Sequence, residues 1–93
     1  SRLRVLIAHL LKWQTQPERQ TLSWRSTITT QRLEIEALLA QSPSLRPRAI
    51  AGLGGSYERA VKLASAETGL ATDRFPGSLP YSIEQLLDDE FLP

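Results

Sequence analysis

The chain contains no cysteine, no methionine and a single histidine. Without cysteine there is no disulfide, no thiol nucleophile and no thiolate metal site. Small secreted domains often depend on disulfide staples, so the composition fits a cytoplasmic protein. Without methionine, Ser1 is not a translation start. The sequence is therefore expected to be a fragment, a processed product or an edited chain. One histidine, His9, excludes two-histidine metal centres and histidine relays. There is no signal peptide, no lipidation motif and no apolar run long enough to cross a bilayer, so no membrane partner is expected. Internal repeats, low-complexity tracts and strand-like alternation are missing as well.

What remains is an ordinary soluble composition. Of 93 residues, 41% are apolar and 23% charged, which suits one domain over residues 1–93. The net charge of +1 hides an uneven distribution. Residues 1–48 carry eight Lys or Arg against three Glu, a net +5, and residues 49–93 carry three against seven acids, a net −4. The two halves can attract each other within the fold, or the basic half can face an acidic partner. The basic residues are spaced rather than clustered, which favours the internal pairing.

The stretch Arg2 to Trp13 reads as a first helix, ending near Gln14. Leu3, Leu6, Ile7 and Leu10 recur at helical spacing, and Val5, Ala8, Leu11 and Trp13 spread the apolar surface around it. Such a helix needs protein on several sides. Thr15-Gln16-Pro17-Glu18 fits a capping box for a turn or two. Ser23 is a cap candidate for a second helix from about Trp24 to Ala40, with Trp24, Ile28, Gln31, Ile35, Leu38 and Leu39 as its stripe. Ser44 can cap a third helix, striped by Ile50, Leu53, Tyr57, Ala60, Val61 and Ala64 and stopped by Gly69 and Leu70 in a Schellman turn. Gly52, Gly54 and Gly55 inside it cost about 1 kcal/mol each relative to alanine. Close approach of another helix backbone would offset that cost, and a break in the helix is the rival reading. Phe75, Leu79 and Tyr81 pin an irregular connection to the bundle, and Ser82-Ile83-Glu84-Gln85 is a capping box opening a short last helix with Ile83, Leu86 and Leu87 inward. The expectation is an all-α fold, a small antiparallel bundle of three main helices plus a short C-terminal one.

Several linked segments carry a family resemblance. They are His9 to Gln14, Gln16-Pro17-Glu18-Arg19, Ser23-Trp24-Arg25, Gln31-Arg32, Ser42-Pro43-Ser44-Leu45, Glu67-Thr68-Gly69-Leu70, Phe75-Pro76, Pro80-Tyr81 and Gln85-Leu86-Leu87-Asp88. In this order and spacing the chain resembles the bacterial, mainly cyanobacterial, family of domain of unknown function number twenty-nine. The resemblance covers essentially the whole chain. It implies an all-helical fold and no assigned activity. Leu79 stands where a cysteine often precedes the Pro-Tyr pair of that family. Family members are longer, with an acidic N-terminal region, which implies that this chain is the C-terminal two thirds of a longer domain.

Candidate functional residues fall into a few groups. His9, Lys12, Trp13 and Gln16 share one helical face and can form a polar pocket with an aromatic wall, or a partly buried rim. Lys12, Arg19, Arg25 and Arg32, with Trp24, form the best surface for an anionic partner such as single-stranded nucleic acid. The competing reading places Trp24 in the core and pairs the arginines with acids of the same chain. A Ser–His–acid triad with Ser23 or Ser26 lacks a nucleophile-elbow sequence. Glu84, Asp88 and Asp89 lack the loop spacing of a calcium site, and Gly52-Leu53-Gly54-Gly55 lacks the Lys-Ser/Thr of a phosphate loop. No cofactor, no metal and no catalytic group are expected. The favoured function is a non-catalytic helical interaction or regulatory module, contacting a protein partner or a second copy through Leu3, Leu6, Ile7 and Leu10 of the first helix. A nucleic-acid-binding accessory protein is the alternative.

Overall fold

A computed structural model describes residues 2–93. Its inner element is α1 (Arg2–Thr15), whose Leu6, Ile7, Ala8, Leu10 and Leu11 have no exposed surface. The cover comes from the chain itself. Two long helices, α2 (Leu22–Gln41) and α4 (Leu53–Thr68), make their largest interfaces with α1. The all-round apolar pattern thus finds protein on several sides, and that corrects one expectation. Leu6, Ile7 and Leu10 cannot meet a partner, because α2 and α4 already enclose them. Leu3, near the start of α1, remains half-buried.

The chain leaves α1 one residue later than expected. Thr15 ends the helix with its hydroxyl donating to the Leu11 carbonyl at 2.8 Å, so it caps nothing downstream. The following 3-10 turn, Pro17–Arg19, starts from Gln16 without a side-chain cap. Thr21, not Ser23, caps α2, its hydroxyl accepting the Trp24 N–H at 3.1 Å. Ile28 and Ile35 carry the buried stripe of α2, whereas Leu38 is 44% exposed. Gln31 lies in that stripe with its Oε1 buried and unpartnered among the described residues.

The third helix divides. A seven-residue α3 (Leu45–Ala51) stops at Gly52, and α4 starts at Leu53. Of the expected stripe, Ile50 on α3 is 43% exposed, while Tyr57, Ala60 and Ala64 on α4 are buried. Close helix approach is not what the glycines serve. A side chain at Gly54 would meet nothing within 4 Å, and one at Gly55 only the Arg59 side chain. The fully buried small residues are instead Ala8 on α1 and Ala60 and Ala64 on α4.

Gly69 ends α4 with φ at +76°, a conformation that costs little only without a Cβ, and its N–H donates to the Ser65 carbonyl at 2.9 Å. The Leu70 N–H turns to the Thr68 hydroxyl, giving the simpler left-handed cap rather than the Schellman pair. Phe75 and Tyr81 then fasten the connection, both buried. The Tyr81 hydroxyl donates to Gln14 Oε1 at 2.6 Å, its ring meets Phe91 edge-on at 5.6 Å, and the Tyr57 hydroxyl donates to the Pro76 carbonyl. Both bonds of the Ser82–Gln85 capping box form, opening α5 (Ile83–Leu87), whose Leu86 is wholly buried. The described chain is all-helical, with five α-helices where four were expected.

Candidate functional site

Lys12 is the least ordinary residue of the molecule. It sits in the last turn of α1, where its charge complements the negative end of the helix dipole, yet it is only 5% exposed. Its ammonium lies 3.4 Å from Glu67 Oε1 in the last turn of α4 and 4.8 Å from the ring centroid of Trp24 in the first turn of α2. The three long helices therefore meet at one cation. A desolvated ammonium over an indole gains about 2 kcal/mol, and the carboxylate adds a charge-assisted contact.

Those gains are set against a large desolvation cost. Burying an ammonium costs several kcal/mol after relaxation, and one carboxylate at 3.4 Å returns part of it. Glu67 keeps 42% of its side chain exposed, so losing its partner leaves it hydrated. Lys12→Met is therefore expected to change stability by less than about 1 kcal/mol, in either direction. Glu67→Ala strands the buried ammonium and is expected to cost about 1–3 kcal/mol. Urea denaturation of the two variants checks the contrast.

His9 lies one turn earlier on α1, half-buried, its Nδ1 3.0 Å from the Val5 carbonyl. Burial holds its pKa below the ordinary 6.5, and Lys12 pushes the same way; the Val5 contact and Glu67 oppose them. The unfolded chain therefore binds a proton at His9 more readily than the folded one. Stability from this group is full above about pH 6.5 and falls as the pH drops through that value toward the folded pKa. In urea midpoints taken between about pH 7.5 and 5.5, His9→Gln is expected to flatten the decline. An equal decline in both chains would place its origin elsewhere.

The other predicted site residues do not join this cluster. Trp13 packs on the core, with its carbonyl accepting from Gln20 Nε2, and Trp24 supplies the aromatic wall in its place. Lys12 and Gln16 are both buried, so this face is no open pocket and is nearer to the alternative of a partly buried rim, closed by the ion pair. Nor does a continuous basic edge form. Arg19 and Arg25 are exposed, but Arg32 is 3% exposed and already occupied. Its Nε donates to the Leu86 carbonyl at 2.8 Å and its Nη2 to the Gln85 carbonyl at 3.2 Å. Burial lowers the Arg32 pKa, and the nearby Asp89 and Asp88 oppose that. The basic and acidic halves do meet, at Lys12–Glu67 and at Arg32 beside the acidic end of α5. Among the described residues no three metal-ligating side chains gather, Glu84, Asp88 and Asp89 included.

Two surface clefts complete the picture. One, of about 550 Å³, runs between α4 and the following connection, with Tyr57, Val61 and Phe75 as its floor and Glu58, Lys62 and Asp73 at its edges. The other, of about 360 Å³, lies where α1 begins, α2 ends and α3 crosses. Leu3, Ile35, Leu38, Leu39, Leu45 and Ala49 line it, with Arg2 as its one charged wall. Leu38 of this lining is 44% exposed. Nothing in the sequence marked this cleft, since its walls come from three helices that are brought together only by the fold. Glu67 escaped notice for a similar reason, standing 55 residues from Lys12.

Comparison with curated proteins finds no match, and none is found among solved structures. A family model described as domain of unknown function DUF29 matches residues 1–92.

Proposed function

We propose, for a chain that belongs to the family of domain of unknown function DUF29, a non-catalytic role as a helical interaction module that docks a helix of a cytoplasmic protein partner. The observation that carries the proposal is the apolar cleft of Leu3, Leu38, Leu39, Leu45 and Ala49. Its wall residue Leu38 is 44% exposed. That side chain does not gain from its present surroundings what a covered leucine gains, about 1.5–3 kcal/mol on full burial. An amphipathic helix laid into the cleft would cover it. Two of the four cations considered for nucleic acid, Lys12 and Arg32, are enclosed and paired within the chain, which favours the protein partner.

The test uses the 93-residue chain as bait beside its Leu38→Asp variant, with circular dichroism confirming that both are folded. A partner held by the parent and released by the variant is then purified and titrated. A loss of at least about tenfold in affinity for Leu38→Asp supports the proposal. Equal affinity for the two baits, or no partner for either, contradicts it.

A further inference from the structure

We infer that two copies of the chain pair through the outer face of α2, antiparallel, about a two-fold axis at the middle of that helix. The cleft described above stays open in such a pair, since none of its α2 residues belongs to this face. Ile28, Arg32, Ile35 and Leu39 turn α2 toward the rest of the chain, so its opposite side points away. On that side Leu22, Ser26, Thr29, Leu33, Ala37 and Ala40 follow at intervals of three or four residues, which keeps them on one face. All six are exposed and none is charged, although the solvated face of a helix ordinarily carries charged side chains. The two leucines stand well clear of their own chain, Leu22 at 87% exposure and Leu33 at 57%.

A second copy is the occupant because size and charge on this face complement themselves under one symmetry operation. In an antiparallel pair, residues equally far from the axis on its two sides meet. With the axis between Thr30 and Gln31, Leu33 of one copy falls between Ser26 and Thr29 of the other, and Leu22 between Ala37 and Ala40. Each large side chain then enters a gap between small ones, as knobs enter holes in paired helices.

The charges obey the same axis. Arg25 and Glu36 are three helical turns apart and share one edge of the apolar face. Both are exposed, and neither enters an ion pair among the described residues. Glu36 lines a small cleft with Arg32 and Arg46, but the Arg32 guanidinium is committed to the Leu86 and Gln85 carbonyls. The two-fold that seats the leucines brings Arg25 of each copy beside Glu36 of the other, giving two equivalent ion pairs. A parallel pair would set arginine against arginine and leucine against leucine. Glu34, the other acid of α2, is held by Arg2 at 3.7 Å.

Analytical ultracentrifugation of the 93-residue chain tests the pairing. An interface of one helix face is small, so the chain is expected to be monomeric near about 1 µM and dimeric near about 0.5 mM. Leu33→Lys should raise the dimer dissociation constant at least about tenfold while leaving the helical spectrum unchanged. Arg25→Glu and Glu36→Arg should each weaken the dimer about threefold or more, because each sets like charges in both contacts. An equimolar mixture of these two variants should regain the association of the parent, since every contact then joins opposite charges. A parent chain that stays monomeric at about 0.5 mM overturns the inference. So does a dimer that survives Leu33→Lys, and so does one that only Leu38→Asp dissolves, which would move the contact to the cleft. A mixture that associates no more tightly than either variant alone overturns the antiparallel arrangement.

Discussion

Leu10→Ala is expected to cost about 3–5 kcal/mol, the upper range for truncating a leucine in a core. Leu10 has no exposed surface and stands midway along α1, between α2 and α4. Both neighbours are long helices held at each end by other contacts, so the structure has little freedom to collapse into the vacated volume. In a domain of this length each kcal/mol lowers Tm by about 4–8 °C, so the variant should melt more than about 12 °C below the parent. Leu22→Ala serves as the control. Leu22 is 87% exposed, and its truncation should stay within about 0.5 kcal/mol. Guanidinium denaturation of the two variants measures the difference, and comparable losses would mean that α1 is not the interior of the molecule.

The second large effect is expected at Arg32. Its guanidinium is buried and donates to the Gln85 and Leu86 carbonyls of a five-residue helix, α5, which is too short to hold itself. Hydrogen bonds from a charged donor contribute about 1.5–3 kcal/mol, and Arg32→Ala also uncovers the surroundings of Leu86. The loss should reach about 2–4 kcal/mol. Arg32→Lys should recover only part of it, because a lysine has no planar fork to span two neighbouring carbonyls. The readout should be local as well as global. In Arg32→Ala the amides of residues 83–92 should lose exchange protection beyond those of α4. If Lys and Arg prove equivalent, charge rather than geometry anchors the C-terminal segment.

These two residues show how differently parts of the fold could be read from the sequence. The burial of α1 was legible because it is a matter of local spacing: apolar residues on nearly every side leave no wet face. The capping box at Ser82 and the left-handed stop at Gly69 were legible for the same reason, since each needs only a few neighbouring residues. Arg32 was not. Its character depends on two carbonyls more than fifty residues away, and nothing near it in sequence distinguishes a surface arginine from a buried one.

The candidate site was half visible. His9 and Lys12 do stand one turn apart on α1 while Gln16 lies just beyond its end, but Trp24 rather than Trp13 closes over the cation, and Glu67 arrives from the last turn of α4. The docking cleft lay outside the sequence reading altogether. Helical periodicity put Leu38 on the inner stripe of the second helix and Ile50 on that of a third, with a break at the glycines as the rival to a continuous third helix. The structure has two helices there, on either side of Gly52, and Ile50 of the expected third-helix stripe and Leu38 of the second are each left partly exposed. With α1 inside, the proposed contact surface lies not on the greasy helix itself but at the cleft where its first turn, α2 and α3 come together.

Native-state hydrogen exchange tests that placement directly. The amides of Leu6 through Lys12 should exchange only through global unfolding, with the largest protection in the chain, while those of α3 should exchange through low-cost local opening. Protection in α1 no greater than in α3 would contradict the account, since the inner helix would then be a peripheral one.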